Sequence, residues 1–140
     1  MAQVVAEVQP DVAFMMWPHD HHHDHEVAGT VSKIALRHGD RLLDKGPFKA
    51  PKFIYAYDNG PRHTIGFEPN TFVDVSADWD AAQDWLGRFM ALVRNQPYDK
   101  KNLDSAQRAK ETLAAYRGQA CGVKYAEALW AANRYPQEIL

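Results

Sequence analysis

The sequence predicts an α+β fold, with a small antiparallel β-sheet in the N-terminal half followed by two or three C-terminal helices packed on it. Short segments of β-type composition alternate with Gly, Pro and Asn up to position 78, and helical spacing of apolar residues takes over from Trp79. With 140 residues and an apolar fraction of 46%, we expect a single domain. Residues 1–78 of this domain should be mainly β, with a His-rich loop or strand, and residues 79–140 mainly helical.

Turn-forming residues divide the N-terminal half into segments rich in β-branched or large apolar residues: Val4–Val8, Val12–Trp17, Val27–Leu36 and Phe72–Val75. A hairpin gives the clearest local signal. Phe53–Tyr57 leads through Asn59-Gly60 into His63–Phe67. Asn-Gly supplies the positive φ angles that a tight hairpin turn requires, so the sequence predicts that these two segments pair with each other.

The C-terminal half has helical periodicity. One apolar stripe follows i, i+3, i+4 spacing and is expected to face the core: Ala82, Trp85, Leu86, Phe89, Met90 and Val93. Ser76 or Asp78 can cap this helix, and Asp104 can cap a second one. A third helical stretch is predicted over Val123–Asn133, ending before Pro136.

The segment Pro18–Glu26 reads PHDHHHDHE and contains five of the seven histidines. Imidazole is the commonest metal ligand in proteins, and carboxylates complete such sites. In an extended chain alternate side chains share a face, so one face would carry His19, His21, His23 and His25 and the other Asp20, His22, Asp24 and Glu26. Either face could bring two or three ligands to one ion. Asp20 or Asp24 could then orient a ligand imidazole. The segment can also be a loose metal-binding loop, or a histidine run that binds no metal.

The order of donors resembles the metal motif of cupins, in which His-x-His and a following Glu precede a later His in a Gly-x-x-His turn. Here His19-x-His21 or His21-x-His23 is followed by Glu26, and Gly60-Pro61-Arg62-His63 comes later. The resemblance is limited to these residues, since predicted helices follow where further strands of a barrel would lie. It implies Glu26 and His63 as ligands. The complete set of predicted ligands is therefore His19, His21, His23, His25, Glu26 and His63.

The expected cofactor is a divalent transition metal. Cys121 is the only cysteine, which excludes an internal disulfide and a thiolate-rich zinc site. Mixed imidazole and carboxylate ligands suit zinc, iron, nickel, manganese or cobalt. Catalysis by Cys121 has no supporting motif around it, and no other catalytic residue can be assigned.

Three functional hypotheses stay open. The chain could be a small metal-dependent enzyme, a non-catalytic accessory subunit of a larger complex, or an interaction protein whose histidines respond to pH. A protein partner or a homo-oligomer is possible, and Tyr135–Leu140 could dock to it. The net charge of −2 and the absence of a recognisable motif argue against nucleic acid as a partner. Neither a secretory signal nor a membrane span is apparent, so we expect a cytoplasmic protein.

Overall fold

The computed structural model describes residues 1–44, 46–60 and 62–131. Helices and strands are interleaved along this part of the chain, in the order α1 (Ala2–Val8), β1 (Val12–Met16), α2 (His23–Leu42), β2 (Phe53–Tyr57), β3 (Thr71–Asp74), α3 (Trp79–Val93), α4 (Ser105–Cys121) and β4 (Ala126–Ala131). The strands form one sheet in the order β1-β2-β4-β3. The predicted α+β class is confirmed. Two details were wrong, because the sheet is mixed and the helices do not all follow it.

Strand β1 runs parallel to β2, with Val12 opposite Phe53 and Met16 opposite Tyr57. Parallel neighbours need a long crossover connection, and α2 supplies it. On its other side β2 pairs antiparallel with β4. Both edges of β2 are therefore occupied, and the predicted hairpin with 63–67 is wrong. From that segment Thr64 makes only an isolated bridge, to Asp20.

Two segments predicted as strands, Val4–Val8 and Val27–Leu36, lie in helices α1 and α2. The second shows why the prediction was wrong. Its β-branched residues Val31 and Ile34 are on the exposed face, whereas small residues such as Gly29 and Ala35 are buried. Close packing of this small-residue face outweighs the strand propensity of the exposed residues.

The predicted third helix over Val123–Asn133 is also wrong, because Ala126–Ala131 forms strand β4. Helix α4 ends at Gly122, whose φ of 79° lies in the left-handed region, and the amide of Val123 donates to the carbonyl of Gly118. The chain then continues as a strand and pairs with β2. Residues 132 and 133 lie outside the described residues, as does the tail Tyr135–Leu140 that we considered as a docking segment.

The described residues divide into two compact units, one formed by Met1–Thr71 with residues 129–131 and the other by Phe72–Ala128. The first unit has an apolar core built from α1, α2 and strands β1 and β2: Val5, Ala13, Met15, Leu36, Ile54 and Ala56, with Trp17, Phe48 and Trp130 packed against it. This core fixes α2 on β1. The candidate site lies where those two elements meet.

The second unit contains α3 and α4, as the helical periodicity predicted. Asp104 caps α4 by accepting a hydrogen bond from the amide of Ala106, and Gln107 completes the capping box. The amide side chain of the buried Gln107 also donates to the carbonyl of Gln83, and Gln83 donates in return to the carbonyl of Gln107. These reciprocal bonds hold α4 against α3. No helix of the described residues has the length and apolar character needed to cross a membrane.

The apolar stripe of α3 is more exposed than predicted. The side chains of Trp85 and Phe89 stack on each other but are 64% and 46% exposed, so their predicted place in the core was wrong. The buried positions of this helix are Trp79 and Gly87 instead. The small Gly87 lets Gln107 and Tyr98 approach the helix backbone, so the closest packing of α3 is at Gly87 and not at Trp85 and Phe89.

We expect Trp85→Gln to change the free energy of unfolding by less than about 1 kcal/mol, because substitutions at exposed positions remove little packing. Urea denaturation followed by circular dichroism measures the change, with Met90→Leu on the same helix as the control. A loss of several kcal/mol would mean that Trp85 is buried in solution.

The carboxylate of Asp84 should make the second unit sensitive to acid. The Nε of Arg88 and the hydroxyl of Tyr98 both donate to it at 2.7 Å, and they hold the pKa of Asp84 below its ordinary value of 3.8. A depressed pKa in the folded state stabilises the protein above the unfolded pKa, and this contribution is lost as the pH falls through the folded pKa. Asp84→Asn should therefore be destabilising at pH 7, with a difference from wild type that shrinks below about pH 4. Denaturation series at several pH values test this, with Asp80→Asn on the same helix as the control. If the difference in unfolding free energy between wild type and Asp84→Asn did not change with pH, the pKa of Asp84 would not be lowered in the folded protein.

Candidate metal centre

The site lies at the carboxyl ends of the parallel strands β1 and β2. Main-chain hydrogen bonds hold the two following segments together, from the amide of Trp17 to the carbonyl of Tyr57 and from the amide of His21 to the carbonyl of His63. Ligand sites in α/β sheets form at this edge because the loops after neighbouring parallel strands meet there. In this protein the two segments bring Asp20 and His63 next to each other.

Three side chains converge at this edge. Asp20 follows β1, His63 follows β2, and His25 lies in the first turn of α2. One ligand atom from each falls within 4.8 Å of the others. The Asp20 carboxylate is 3.3 Å from Nδ1 of His25 and 4.0 Å from Nδ1 of His63. The ligand atoms of a tetrahedral zinc ion are about 3.4 Å apart. Small movements of the three side chains would therefore bring their ligand atoms to the distances that one ion requires.

Asp20 is the buried member of the cluster, with a side chain that is 1% exposed. Burial alone would raise its pKa, but hydrogen bonds from the His22 amide, the Asn59 side chain and His25 outweigh it. The net effect lowers the pKa of Asp20 below its ordinary value. The carboxylate is therefore ionised at neutral pH, which is the form that binds a cation.

Asn59 connects the members of the cluster. Its side-chain nitrogen lies 3.3 Å from Oδ2 of Asp20 and 3.1 Å from Nδ1 of His25. Its own main-chain amide donates to the hydroxyl of Thr64 at 2.8 Å, which fixes the loop that carries His63. Asn59 is therefore placed to orient Asp20 and His25, as outer-shell groups orient the ligands of metal sites.

The imidazoles form the accessible side of the cluster. The side chains of His25 and His63 are 28% and 44% exposed, and their ring centroids are 5.5 Å apart. His22 stacks on His25 with ring centroids 4.6 Å apart. One buried carboxylate and two solvent-accessible imidazoles are donors that divalent transition metals accept, and a site with three protein ligands would leave a coordination position for water or substrate.

Of the six predicted ligands, the structure brings His25 and His63 together with Asp20. The remaining four lie elsewhere. The ring of His19 contacts Trp17, and His21 is exposed. His23 and Glu26 lie on the surface of α2, where Nδ1 of His23 is 3.5 Å from Oε2 of Glu26. Whether any of them binds metal stays a prediction.

The expected alternation of the histidines along an extended chain was wrong, because the chain turns at His22 and enters α2 at His23. The His22 amide donates to Asp20, and this bond closes the turn. Asp20, which the sequence predicts either as a possible ligand on one face of the segment or as a group that orients a ligand imidazole, is central to the cluster. Asp20 and Asn59 both follow strands that a helix connects, a position that becomes meaningful only once the parallel pairing of β1 with β2 is known.

The donors that resembled a cupin motif are separated in the same way. His63 belongs to the cluster, whereas Glu26 lies on the surface of α2. A mixed four-stranded sheet with interleaved helices is also not the double-sheet barrel of that family.

No protein-family model matches the sequence, and no curated protein sequence matches it. Solved structures with a similar fold do exist. The conserved protein TT1542 from Thermus thermophilus superposes with a TM-score of 0.66 and 25% identity over 97% of this chain and 57% of its own.

Two structures with named activities are also similar. The N,N'-diacetylchitobiose deacetylase from Pyrococcus horikoshii has a TM-score of 0.64 and 21% identity over 93% of this chain and 48% of its own. GalB, the 4-carboxy-2-hydroxymuconate hydratase from Pseudomonas putida, has a TM-score of 0.64 and 19% identity over 99% of this chain and 59% of its own. At these identities the similarity establishes the fold. This chain spans between about half and three-fifths of the length of the three proteins.

Proposed function

We propose that Asp20, His25 and His63 bind a divalent transition metal, and that this centre hydrolyses an acyl bond such as the amide of an N-acetyl group. The observation that carries the proposal is the convergence of one buried carboxylate and two accessible imidazoles within 4.8 Å of one another. Catalytic zinc sites use three protein ligands of these types and keep one position open.

The accessibility of the three groups favours catalysis over a purely structural metal. Asp20 is anchored in the protein, whereas His25 and His63 face solvent with side chains 28% and 44% exposed. Structural zinc sites are instead closed by four protein ligands. A substrate that approaches from the imidazole side would meet the open position.

When bound, a divalent ion lowers the pKa of a coordinated water and polarises a carbonyl oxygen. The residues of the chain supply the remaining functions. Asp20 contributes the negative charge that holds the ion, and Asn59 orients both Asp20 and His25. His22 stacks on His25 and is exposed, so it can accept a proton from water and pass it to the departing amine. In the complete reaction water adds to the acyl carbon, the carbon–nitrogen bond breaks, and a carboxylate and an amine leave.

The reactions of two proteins of similar fold support the use of water as a reactant. Deacetylation, as in the enzyme from Pyrococcus horikoshii, consumes water at an acyl carbon, and a hydratase such as GalB adds water to its substrate. A site that activates water is common to both reaction types. We favour acyl hydrolysis because a divalent ion held by Asp20, His25 and His63 would supply the two things that this reaction needs, an activated water and polarisation of the acyl carbonyl.

The test uses untagged protein treated with a chelator and then reloaded with zinc, manganese, cobalt, nickel or iron(II). Amine release from N,N'-diacetylchitobiose and from a panel of simpler N-acetyl compounds is measured. We expect activity only after reloading, and a loss of at least about 100-fold in His63→Ala. His21→Ala/His23→Ala is the matched control, because it removes two imidazoles from the same region and leaves the cluster intact. Activity that resists the chelator, or that disappears only in the control, would contradict the proposal.

A second candidate is a metal-binding accessory subunit, and the exposed apolar face of α3 is the observation that favours it. Trp85, Phe89, Leu92 and Val93 are all at least 46% exposed, which is unusual for so many neighbouring large apolar residues. Such a face would be covered by a protein partner or by a second copy of the chain. Light scattering on the wild type and on Trp85→Gln/Phe89→Gln tests the second copy, since only the wild type should form the dimer. A monomer in both cases would exclude self-association.

A further inference from the structure

A cavity of about 130 Å³ opens in the first unit, between the sheet and helix α2. Its floor is one face of the sheet, because Met15 lies opposite Ala56 in the register and Ala56 lies opposite Trp130. Trp17 and Trp130 form an aromatic wall, with ring centroids 5.6 Å apart. The lining also includes His19, the residue directly before Asp20 in the sequence.

Two cationic side chains of α2, Lys33 and Arg37, border this apolar cavity. They are four residues apart and therefore lie on the same face of the helix. Both are exposed, and within the described part of the chain neither forms an ion pair. An aromatic cavity bordered by two exposed cations is complementary to an anion with an apolar body.

The size and shape of the cavity define the ligand further. An apolar protein cavity of about 150 Å³ accommodates benzene, so the 130 Å³ found here suits a single ring or an unsaturated chain of similar size. The flat faces of the tryptophan rings favour a planar group. Arginine binds a carboxylate through two parallel hydrogen bonds, and lysine adds a further charge.

We infer that this cavity binds small carboxylic acids with a planar apolar body, such as benzoate. The apolar part contacts Trp17 and Trp130, and the carboxylate contacts Lys33 and Arg37. This inference deepens the proposed function and rests on it in one respect, which is that the cavity would hold part of the substrate of the metal centre. That substrate would then carry a carboxylate as well as the acyl bond to be cleaved.

The tryptophan indole N–H signals of ¹⁵N-labelled protein provide a site-specific test with benzoate as the probe. The protein is first treated with a chelator, so that the metal centre cannot contribute to binding. We expect benzoate to shift the signals of Trp17 and Trp130, while those of Trp79 and Trp85 stay in place. Benzamide, the neutral analogue, and inorganic phosphate, an anion without an apolar body, should both bind at least about tenfold more weakly.

Two double variants that each remove two positive charges distinguish binding in this cavity from a general attraction of benzoate to a positively charged surface. Lys33→Gln/Arg37→Gln should weaken benzoate binding about tenfold or more. Arg41→Gln/Lys101→Gln removes two positive charges elsewhere and should leave it unchanged. Three results would contradict the proposed binding site: an equal loss of benzoate affinity in both double variants, equal affinities for benzamide and benzoate, or signal shifts at all four tryptophans.

A separate experiment tests whether the cavity holds part of the substrate of the proposed metal centre. Benzoate should compete with substrate in the reloaded enzyme and lose this effect in Lys33→Gln/Arg37→Gln. Benzoate that binds to Trp17 and Trp130 but leaves hydrolysis unchanged would overturn the assignment as a substrate site. Site-specific binding in a protein that shows no hydrolysis would still support the pocket, and only the proposed function would then fail.

Discussion

Replacing Asp20 by asparagine should lower the affinity for zinc at least about 100-fold and abolish metal-dependent activity. The two side chains have the same shape, so the change removes the negative charge and one anionic ligand with little effect on packing. The Asp20 side chain is only 1% exposed and accepts hydrogen bonds from the His22 amide and Asn59. An asparagine there would place its amide group among donors and could not replace the carboxylate as a ligand.

The measurement is a zinc titration of untagged, chelator-treated protein against a competing chelator. Asp24→Asn is the matched control, because it makes the same chemical change at an exposed position of the same segment. Its zinc affinity should equal that of wild type. An unchanged affinity in Asp20→Asn, or equal losses in both variants, would show that the carboxylate of Asp20 is not a ligand.

Gly29→Ala should destabilise the protein by about 1–3 kcal/mol and also weaken metal binding, because the added methyl group has no space. A Cβ at position 29 would lie 2.8 Å from Cα of Pro18 and 2.9 Å from the carbonyl oxygen of Met16. Both are backbone atoms, so no side-chain rotation relieves the clash. Helix α2 would have to move away from the end of β1, and that movement would separate His25 from Asp20.

Urea denaturation and the zinc titration together test this prediction. Thr30→Ala is the control, since it places alanine at the next, exposed position of the same helix. It should change neither the stability nor the zinc affinity appreciably. A Gly29→Ala protein with wild-type stability and wild-type zinc affinity would contradict the close contact between α2 and the Pro18 backbone.

The parts of the fold that were predictable from the sequence depend on local signals. The start of α4 follows from Asp104 and the capping box with Gln107, and the extent of α3 follows from its periodicity. The direction of strand pairing has no such signal. Nothing near Phe53–Tyr57 indicates that it pairs with β1 and β4 in preference to the segment after Asn59-Gly60.

The sequence also predicted only part of the candidate site. His25 and His63 were among the predicted ligands, because imidazoles are recognisable from composition and motif. Asp20 and Asn59 could not be assigned their roles, since these depend on the parallel pairing of β1 with β2 and on the turn at His22. Both features arise from contacts between residues far apart in the sequence or from a single hydrogen bond that composition does not indicate.

Anomalous diffraction at the zinc absorption edge, on crystals of untagged protein loaded with one equivalent of zinc, tests the central claim most directly. The account predicts one peak per chain, about 2.0–2.2 Å from an oxygen of Asp20 and from a ring nitrogen of each of His25 and His63. A peak held instead by His19, His21, His23 or Glu26, with no density at the Asp20 cluster, would contradict it.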